Sequence, residues 1–285
     1  MKHFFLIANK KKDPERIHTD RIVSFLKANG ATCKVAEPMP RDDQKKEYTD
    51  PAVIPKETEC ILVLGGDGTL LRAARDTHEL HLPLLGINLG TVGYLAEVEI
   101  NDIEQALLGL LEDRYQIEDR MMLKGALTTE EGRYEDLALN DVVITREGGL
   151  QIIQFDIYVN QSLLGSFSAD GVIVSTPTGS TGYNLSAGGP LVQPGAKTLL
   201  ITPICAHTLS SRSIVLSADQ EIRIVITKGH NGQNQTLEAR FDGSGAFRMA
   251  SGDQVDVVCA DTVTRIVKLN RQSFLKVLQQ KMRSV

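Results

Sequence analysis

The sequence predicts an α/β N-terminal domain followed by an all-β C-terminal domain. The first hundred-odd residues alternate short apolar runs with amphipathic runs of helical period, the grammar of a sheet covered by helices. Beyond about Tyr115 the apolar residues alternate one by one instead, as in half-buried strands. With 285 residues the chain has room for about two cores. The expected division is 1–114 and 115–271, with a C-terminal helix over 272–285 packing back on the first domain.

Phe4–Ala8 is a short apolar strand. Asp13-Pro14 marks an N-cap with proline at the first helical position, Ile17, Ile22, Phe25 and Leu26 form an apolar stripe, and Asn29-Gly30 closes the helix. Thr32–Ala36 returns as a strand. Residues Glu37–Thr58, with four prolines and mixed charge, read as a long exposed loop. Cys60–Leu64 is the next strand, Thr69–Leu80 the next helix and Pro83–Asn88 another strand. Asn101 and Glu104 resemble a capping box opening a helix over Ile103–Leu111.

In the second domain, Gln151–Val159, Glu221–Ile226 and Gln254–Val258 alternate in polarity, with turns at Asn160-Gln161, Lys228–Gly232 and Asp242–Gly245. The tail, Ser273–Arg283, has a helix-like pattern.

Composition excludes several classes. Apolar residues make up 42% and charged residues 24%, so the chain folds rather than remaining disordered. A net charge of −5 with no basic block argues against nucleic acid as a partner. The apolar stretches, such as Ile61–Leu64 and Thr198–Ile204, fall far short of the roughly 20 residues a membrane span needs. The N-terminus reaches Asn9-Lys10-Lys11-Lys12 too soon for a secretory signal. Cys33, Cys60, Cys205 and Cys259 lie far apart and read as buried small hydrophobes in a reducing cytoplasm rather than as disulfides or a zinc site.

Two segments carry chemistry. Residues 63–70 read V-L-G-G-D-G-T-L, a strand end, a glycine turn and a helix start. Amides at a helix N-terminus favour phosphate, and Gly65, Gly66 and Gly68 let it approach the backbone closely. The spacing matches neither G-x-G-x-x-G nor G-x-x-x-x-G-K-[ST]. Asp67 would repel a bare phosphate, but a hydroxyl attacking a phosphoryl group needs a carboxylate to orient it or accept its proton. Asp-Gly is also an ordinary turn dipeptide. Arg72, one turn on, is either a phosphate ligand or a solvated helix residue.

The second segment, Asp170–Pro190, reads D-G-V-I-V-S-T-P-T-G-S-T-G-Y-N-L-S-A-G-G-P. Its hydroxyls, at Ser175, Thr176, Thr178, Ser180 and Thr181, suit ribose, amide or phosphate groups, and Tyr183 offers a ring for a base or nicotinamide.

With these motifs the chain resembles the NAD kinases, within a wider group that includes diacylglycerol and sphingosine kinases. Gly65-Gly66-Asp67-Gly68-Thr69 matches the motif of the whole group, and Asp170–Tyr183 the one that marks NAD kinases. The likeness continues through Asn88–Leu95, Leu139–Val143 and His207–Arg212. The resemblance implies a Rossmann-like first domain, a sandwich-like second domain, the nucleotide site between them, and assembly as a homodimer or homotetramer. The reaction it implies is transfer of the γ-phosphoryl of ATP, or of polyphosphate, to the adenosine 2′-hydroxyl of NAD, with Mg²⁺ or another divalent cation, giving NADP.

Carried over by that resemblance, Asp67 orients or deprotonates the hydroxyl, and Gly65, Gly66, Gly68, Thr69 and Arg72 meet phosphates. Asn140 and Thr178 contact adenine, Asp141 the ribose and Asp170 the nicotinamide amide. Thr181, Gly182, Tyr183, Asn184 and Ser186 line the dinucleotide, Tyr183 by stacking, and His207 meets phosphates. Metal ligands are not identified. The family usually has Glu at 141 and often Ala at 182; Asp141 is one methylene shorter, and Gly182 adds backbone freedom. The alternatives are a lipid kinase, which would lack the Asp170–Tyr183 signature, and a non-catalytic NAD sensor, which would have lost Asp67.

Overall fold

The computed structural model describes residues 1–37, 49–90, 93–96, 98–148, 152–207, 212–269, 274–275 and 278–279. Half of the expected 37–58 loop (38–48) and most of the expected C-terminal helix lie outside the described residues. The chain divides into two compact units, Met1–Arg120 with Val263–Val285, and Met121–Thr262.

The first unit is α/β. Strands β1 (His3–Ala8), β2 (Thr32–Val35), β3 (Cys60–Gly65), β4 (Leu84–Asn88) and β5 (Val98–Glu99) pair in parallel, in the order β2-β1-β3-β4-β5. Side chains alternate between the faces of such a sheet. Phe4, Leu6, Leu62 and Leu64 meet Ile22 and Leu26 of helix α1 (Ile17–Ala28) and Ile103, Leu107 and Leu110 of α3 (Ile103–Leu111) in one core. With both faces covered, β3 is an uninterrupted buried apolar run.

Helix α1 starts three residues later than Asp13-Pro14 suggests. Residues 9–16 coil in turns, with Arg16 left-handed at φ 59°, and this brings the Asp13 carboxylate over the first turn. It accepts from the amides of His18 (3.2 Å) and Thr19 (2.9 Å) and from the Thr19 hydroxyl (2.6 Å). Asp13 therefore caps from a distance, while Ile17, expected in the stripe, is 62% exposed. Helix α2 spans Asp67–Asp76 rather than 69–80, and a separate 3₁₀ turn covers His78–Leu80. The capping box at α3 does not form: the N-cap is Asp102, without a side-chain cap, and Glu104 pairs with Arg21 at 2.8 Å.

The second unit is β-rich, with one short α-helix among its described residues. Strands β6 (Gln116–Thr129) and β7 (Gly132–Ala138) form a hairpin. Strands β8 (Asp141–Arg146), β9 (Ile153–Val159), β10 (Ser162–Ala169) and β11 (Gly171–Ser175) precede the short helix α4 (Tyr183–Ser186), and β12 (Thr198–Ile204), β13 (Ile214–Ser217), β14 (Ile222–Ile226), β15 (Thr236–Phe241), β16 (Phe247–Ala250) and β17 (Gln254–Lys268) follow it. One antiparallel sheet runs β13-β12-β11-β8-β15-β16, and another set runs β10-β9-β14-β17. Val142, Val172, Ile201 and Phe241 of the first pack with Phe155, Ile157, Ile224 and Val257 of the second, as in a sandwich. Asn160 and Gln161, both at positive φ, make the tight β9–β10 turn. The four cysteines are free; Cys60 is buried, whereas Cys205 is exposed, contrary to the reading of all four as interior residues.

Replacing Asp13 by Ala is expected to lower stability by about 1–2 kcal/mol, the range for a lost N-cap, read from the urea unfolding midpoint. An unchanged midpoint would contradict the remote cap.

Candidate active site

In the first unit, β1 is followed on one side by β2, while β3 and β4 continue on the other, so the strand order reverses between β1 and β3. The crevice beyond the carboxyl ends of such strands is where open α/β sheets bind ligands. The glycine turn leaves β3 there, and residues 9–13 leave β1.

Gly65 ends β3, and a Cβ on it would come within 2.5 Å of the Thr69 hydroxyl, so its lack of a side chain lets α2 start directly against the strand. Gly66 is the extended N-cap, and no side chain caps the helix. The amides of Thr69 and Leu70 donate to the Gly66 carbonyl at 2.8 and 3.2 Å, so those of Asp67 and Gly68 are the ones left for another acceptor. Asn9 Nδ2 donates to Thr69 Oγ1 at 3.1 Å, tying the 9–13 turn to the glycine turn. This places Lys12 so that its Nζ lies 3.0 Å from where a Gly66 Cβ would sit. Sequence reasoning passed over Lys12 as part of a polar run; its cue was a lysine shortly after the first strand of a parallel sheet. Gly68 is exposed and Arg72 half-buried on the same helix.

Asp67 is the first residue of α2, with its side chain turned toward residues 93–96. Its Oδ2 accepts from the Tyr94 amide at 2.8 Å, and its Oδ1 from the amides of Leu95 and Ala96 at 3.3 Å each. An ionised carboxylate has about four lone-pair sites, so these bonds leave it room for one more donor, such as a hydroxyl. Asn88, at the end of β4, is 3% exposed; its Nδ2 donates to the Gly90 carbonyl and its Oδ1 is buried without a partner. Among the described residues no cluster of three His, Cys, Asp or Glu side chains forms a metal cage.

The second group of expected residues gathers in the second unit. Thr176 Oγ1 donates to the Leu139 carbonyl at 2.6 Å and accepts from the Gly179 amide at 3.0 Å, and the Thr176 amide donates to the Asn140 carbonyl at 2.8 Å. A Cβ on Gly179 would overlap that same carbonyl, so glycine is required for the loop to lie on Asn140. Ser180 and Asn184 are wholly buried. Asn184 donates to the carbonyls of Ser180 and Pro190 and accepts from the Thr202 hydroxyl at 2.7 Å. Several of the hydroxyls and amides thus build the loop. Thr178 is buried, Thr181 and Gly182 are half-buried, and Tyr183 and Ser186 are exposed on the loop. Asn140 is half-buried with its Oδ1 unpartnered. Asp170 pairs with Arg146 at 2.7 Å. His207 is exposed, its amide bonded to the Ser168 carbonyl at 2.8 Å; residues 208–211 lie outside the described residues.

Asp242 is the residue in this group that sequence reasoning missed, having been read only as part of a turn. Held at φ 48°, its carboxylate accepts from the amides of Leu139 (2.7 Å), Asn140 (2.7 Å) and Asp141 (3.1 Å). Its partners lie about a hundred residues earlier, and no local signal joins them. Asp141, 5% exposed, has its carboxyl pushed up to about 7, chiefly by burial and secondarily by the Asp242 charge. A carboxyl whose folded pKa is raised costs stability once pH exceeds its unfolded value, and the cost is complete above the folded value. Asp141→Asn is therefore expected to be the more stable protein at pH 8 by up to a few kcal/mol. The gain should shrink as pH falls below about 7 and vanish near pH ~4. Thermal unfolding of both proteins across that range checks this; a constant difference would contradict it.

The structure thus assembles the glycine turn with Asp67, Lys12 and Asn88 in one unit, and Asn140, Asp141, Thr178 and their loop in the other. Known proteins match this chain over nearly its whole length. The family model described as ATP-NAD kinase N-terminal domain matches residues 4–115, and the one described as ATP-NAD kinase C-terminal domain matches 139–269. An NAD kinase of Lachnospira eligens is 44% identical, over 99% of this chain and 100% of its own. One of Agathobacter rectalis is 45% identical over 99% of each. Among solved structures, yeast NADH kinase complexed with NADH superposes with a TM-score of 0.83 at 23% identity, covering 99% of this chain and 88% of that one. An NAD kinase from Archaeoglobus fulgidus in complex with ATP gives 0.77 at 22%, over all of both chains. Those two likenesses support the fold, and the family models and close relatives settle the rest: this chain belongs to the NAD kinases, a family of phosphotransferases.

Proposed function

We propose that this protein phosphorylates the adenosine 2′-hydroxyl of NAD with ATP, giving NADP and ADP, and that Asp67 is the residue that handles the hydroxyl. The observation that carries this is the anchored carboxylate: three amides hold Asp67 beside an uncapped helix N-terminus and leave it one acceptor site. A hydroxyl donating to that site has its oxygen turned toward a phosphoryl group lying against the glycine turn. As the oxygen–phosphorus bond forms, the bond from the γ-phosphorus to the β,γ-bridging oxygen breaks, and the hydroxyl proton passes toward Asp67.

Gly65, Gly66, Gly68 and Thr69 present the backbone to the phosphates, with Lys12 and Arg72 as cations. A divalent cation arriving with the triphosphate would neutralise its charge. The buried, unpartnered Asn88 Oδ1 is a neutral oxygen suited to it or to its water, consistent with a metal held mainly by phosphate. Asn140 and Thr178 are assigned to the adenine, Asp141 to the ribose, Asp170 to the nicotinamide amide, Thr181, Gly182, Tyr183 and Ser186 to the dinucleotide, and His207 to phosphate. Asn184 supports that loop from within. These roles, together with a homodimer or homotetramer in the cytoplasm, rest on the family resemblance. No helix among the described residues is long and apolar enough to cross a membrane.

The test is NADP formation from NAD and Mg-ATP, read through an NADP-specific dehydrogenase. Wild type should form NADP and leave diacylglycerol unphosphorylated, and Asp67→Asn should lose about 10²–10⁴-fold in kcat. Undiminished turnover in Asp67→Asn would overturn the role of Asp67. Absence of product with NAD binding intact would favour a sensor.

A further inference from the structure

Gly93 opens the segment whose amides hold Asp67. A Cβ at this position would overlap Cγ and both carboxylate oxygens of Asp67. The next three residues supply the amides that Asp67 accepts from. On β4 below, Gly86 has a related function: a Cβ there would come within 2.9 Å of Ala96 Cα, so its absence lets the 93–96 segment lie down on the sheet. One glycine brings the amides close, and the other leaves the space the carboxylate occupies.

We propose that Gly93 is the positioning residue for Asp67: the missing side chain is the slot in which the carboxylate sits, and any substituent there moves it off the line to the substrate hydroxyl. This rests on the reading of Asp67 as the group that handles the hydroxyl. The displacement of the carboxylate, however, can be observed whether or not the protein turns over. The methyl group of alanine at 93 would fall on the Asp67 carboxylate, so the substitution acts through that contact.

The experiment compares Gly93→Ala with Gly90→Ala. Gly90 lies three residues earlier, without positive φ, and among the described residues a Cβ there meets only the end of Lys12, at 3.9 Å. Both variants lose the same glycine freedom, and only one intrudes on Asp67. Gly93→Ala is expected to lower kcat by about 10–100-fold, the scale of a displacement near 1 Å, with the KM values for NAD and ATP little changed. Gly90→Ala should keep wild-type kcat. In parallel, amide hydrogen exchange at Tyr94, Leu95 and Ala96 should speed up in Gly93→Ala alone, because the acceptor has left.

Wild-type kcat and exchange in Gly93→Ala would overturn the proposal. So would equal losses in both variants, which would trace the effect to loop stiffness. If the wild-type protein made no NADP, the proposed function would fail, and the exchange data would still decide whether Gly93 holds the carboxylate in place.

Discussion

The site in the first unit depends on one interaction, a carboxylate anchored by the backbone of a neighbouring turn. Asp67 begins a helix whose amides attract negative charge, yet it turns to the amides of Tyr94, Leu95 and Ala96. Hydrogen bonds to an ionised group are among the stronger ones in proteins, and those to amides fixed in a packed turn need no side-chain ordering of the donors. The glycines follow from this. Gly65 allows the helix to begin at once, Gly86 admits the turn, and Gly93 leaves space for the carboxylate. The charge set among glycines in V-L-G-G-D-G-T-L is there because strand, helix and turn converge on a volume too small for side chains.

The second unit solves a similar problem with the same device. Asp242 gathers the amides of Leu139, Asn140 and Asp141, and so fixes the segment that carries two of the expected nucleotide contacts. The cost appears next door, where Asp141 is buried beside a second negative charge and its carboxyl is pushed up to about 7. A longer Glu would carry its charge one methylene farther out; with Asp the charge stays in the strand end. Beneath the Asp170–Pro190 loop, Thr176, Ser180 and Asn184 spend their polar atoms on backbone and on Thr202, which gives the loop a definite shape.

Much of this was legible in the sequence. Periods of 3.6 and 2 separated the α/β part from the β part, because burying one face of a helix or strand imposes those periods. The two motifs announced themselves through glycine and hydroxyl density. What stayed hidden was nonlocal. Asp13 pointed to a helix start but caps from farther back, because residues 9–16 coil before the helix begins. Glu104 looked like half of a capping box and pairs instead with Arg21, on a helix packed beside its own. Lys12, Asp242 and Gly93 act on residues roughly 25 to 100 positions away, and nothing in their own neighbourhoods says so. Nor did the sequence distinguish hydroxyls facing a ligand from those that build a loop.

If Asp67 handles the hydroxyl as proposed, its remaining acceptor site receives the adenosine 2′-hydroxyl. The most direct measurement is a crystal structure with NAD bound. That hydroxyl should lie within hydrogen-bond distance of Asp67, while the bonds from Tyr94, Leu95 and Ala96 persist. A structure in which NAD is bound with the 2′-hydroxyl away from Asp67, or in which the carboxylate has left its three amides, would contradict that role.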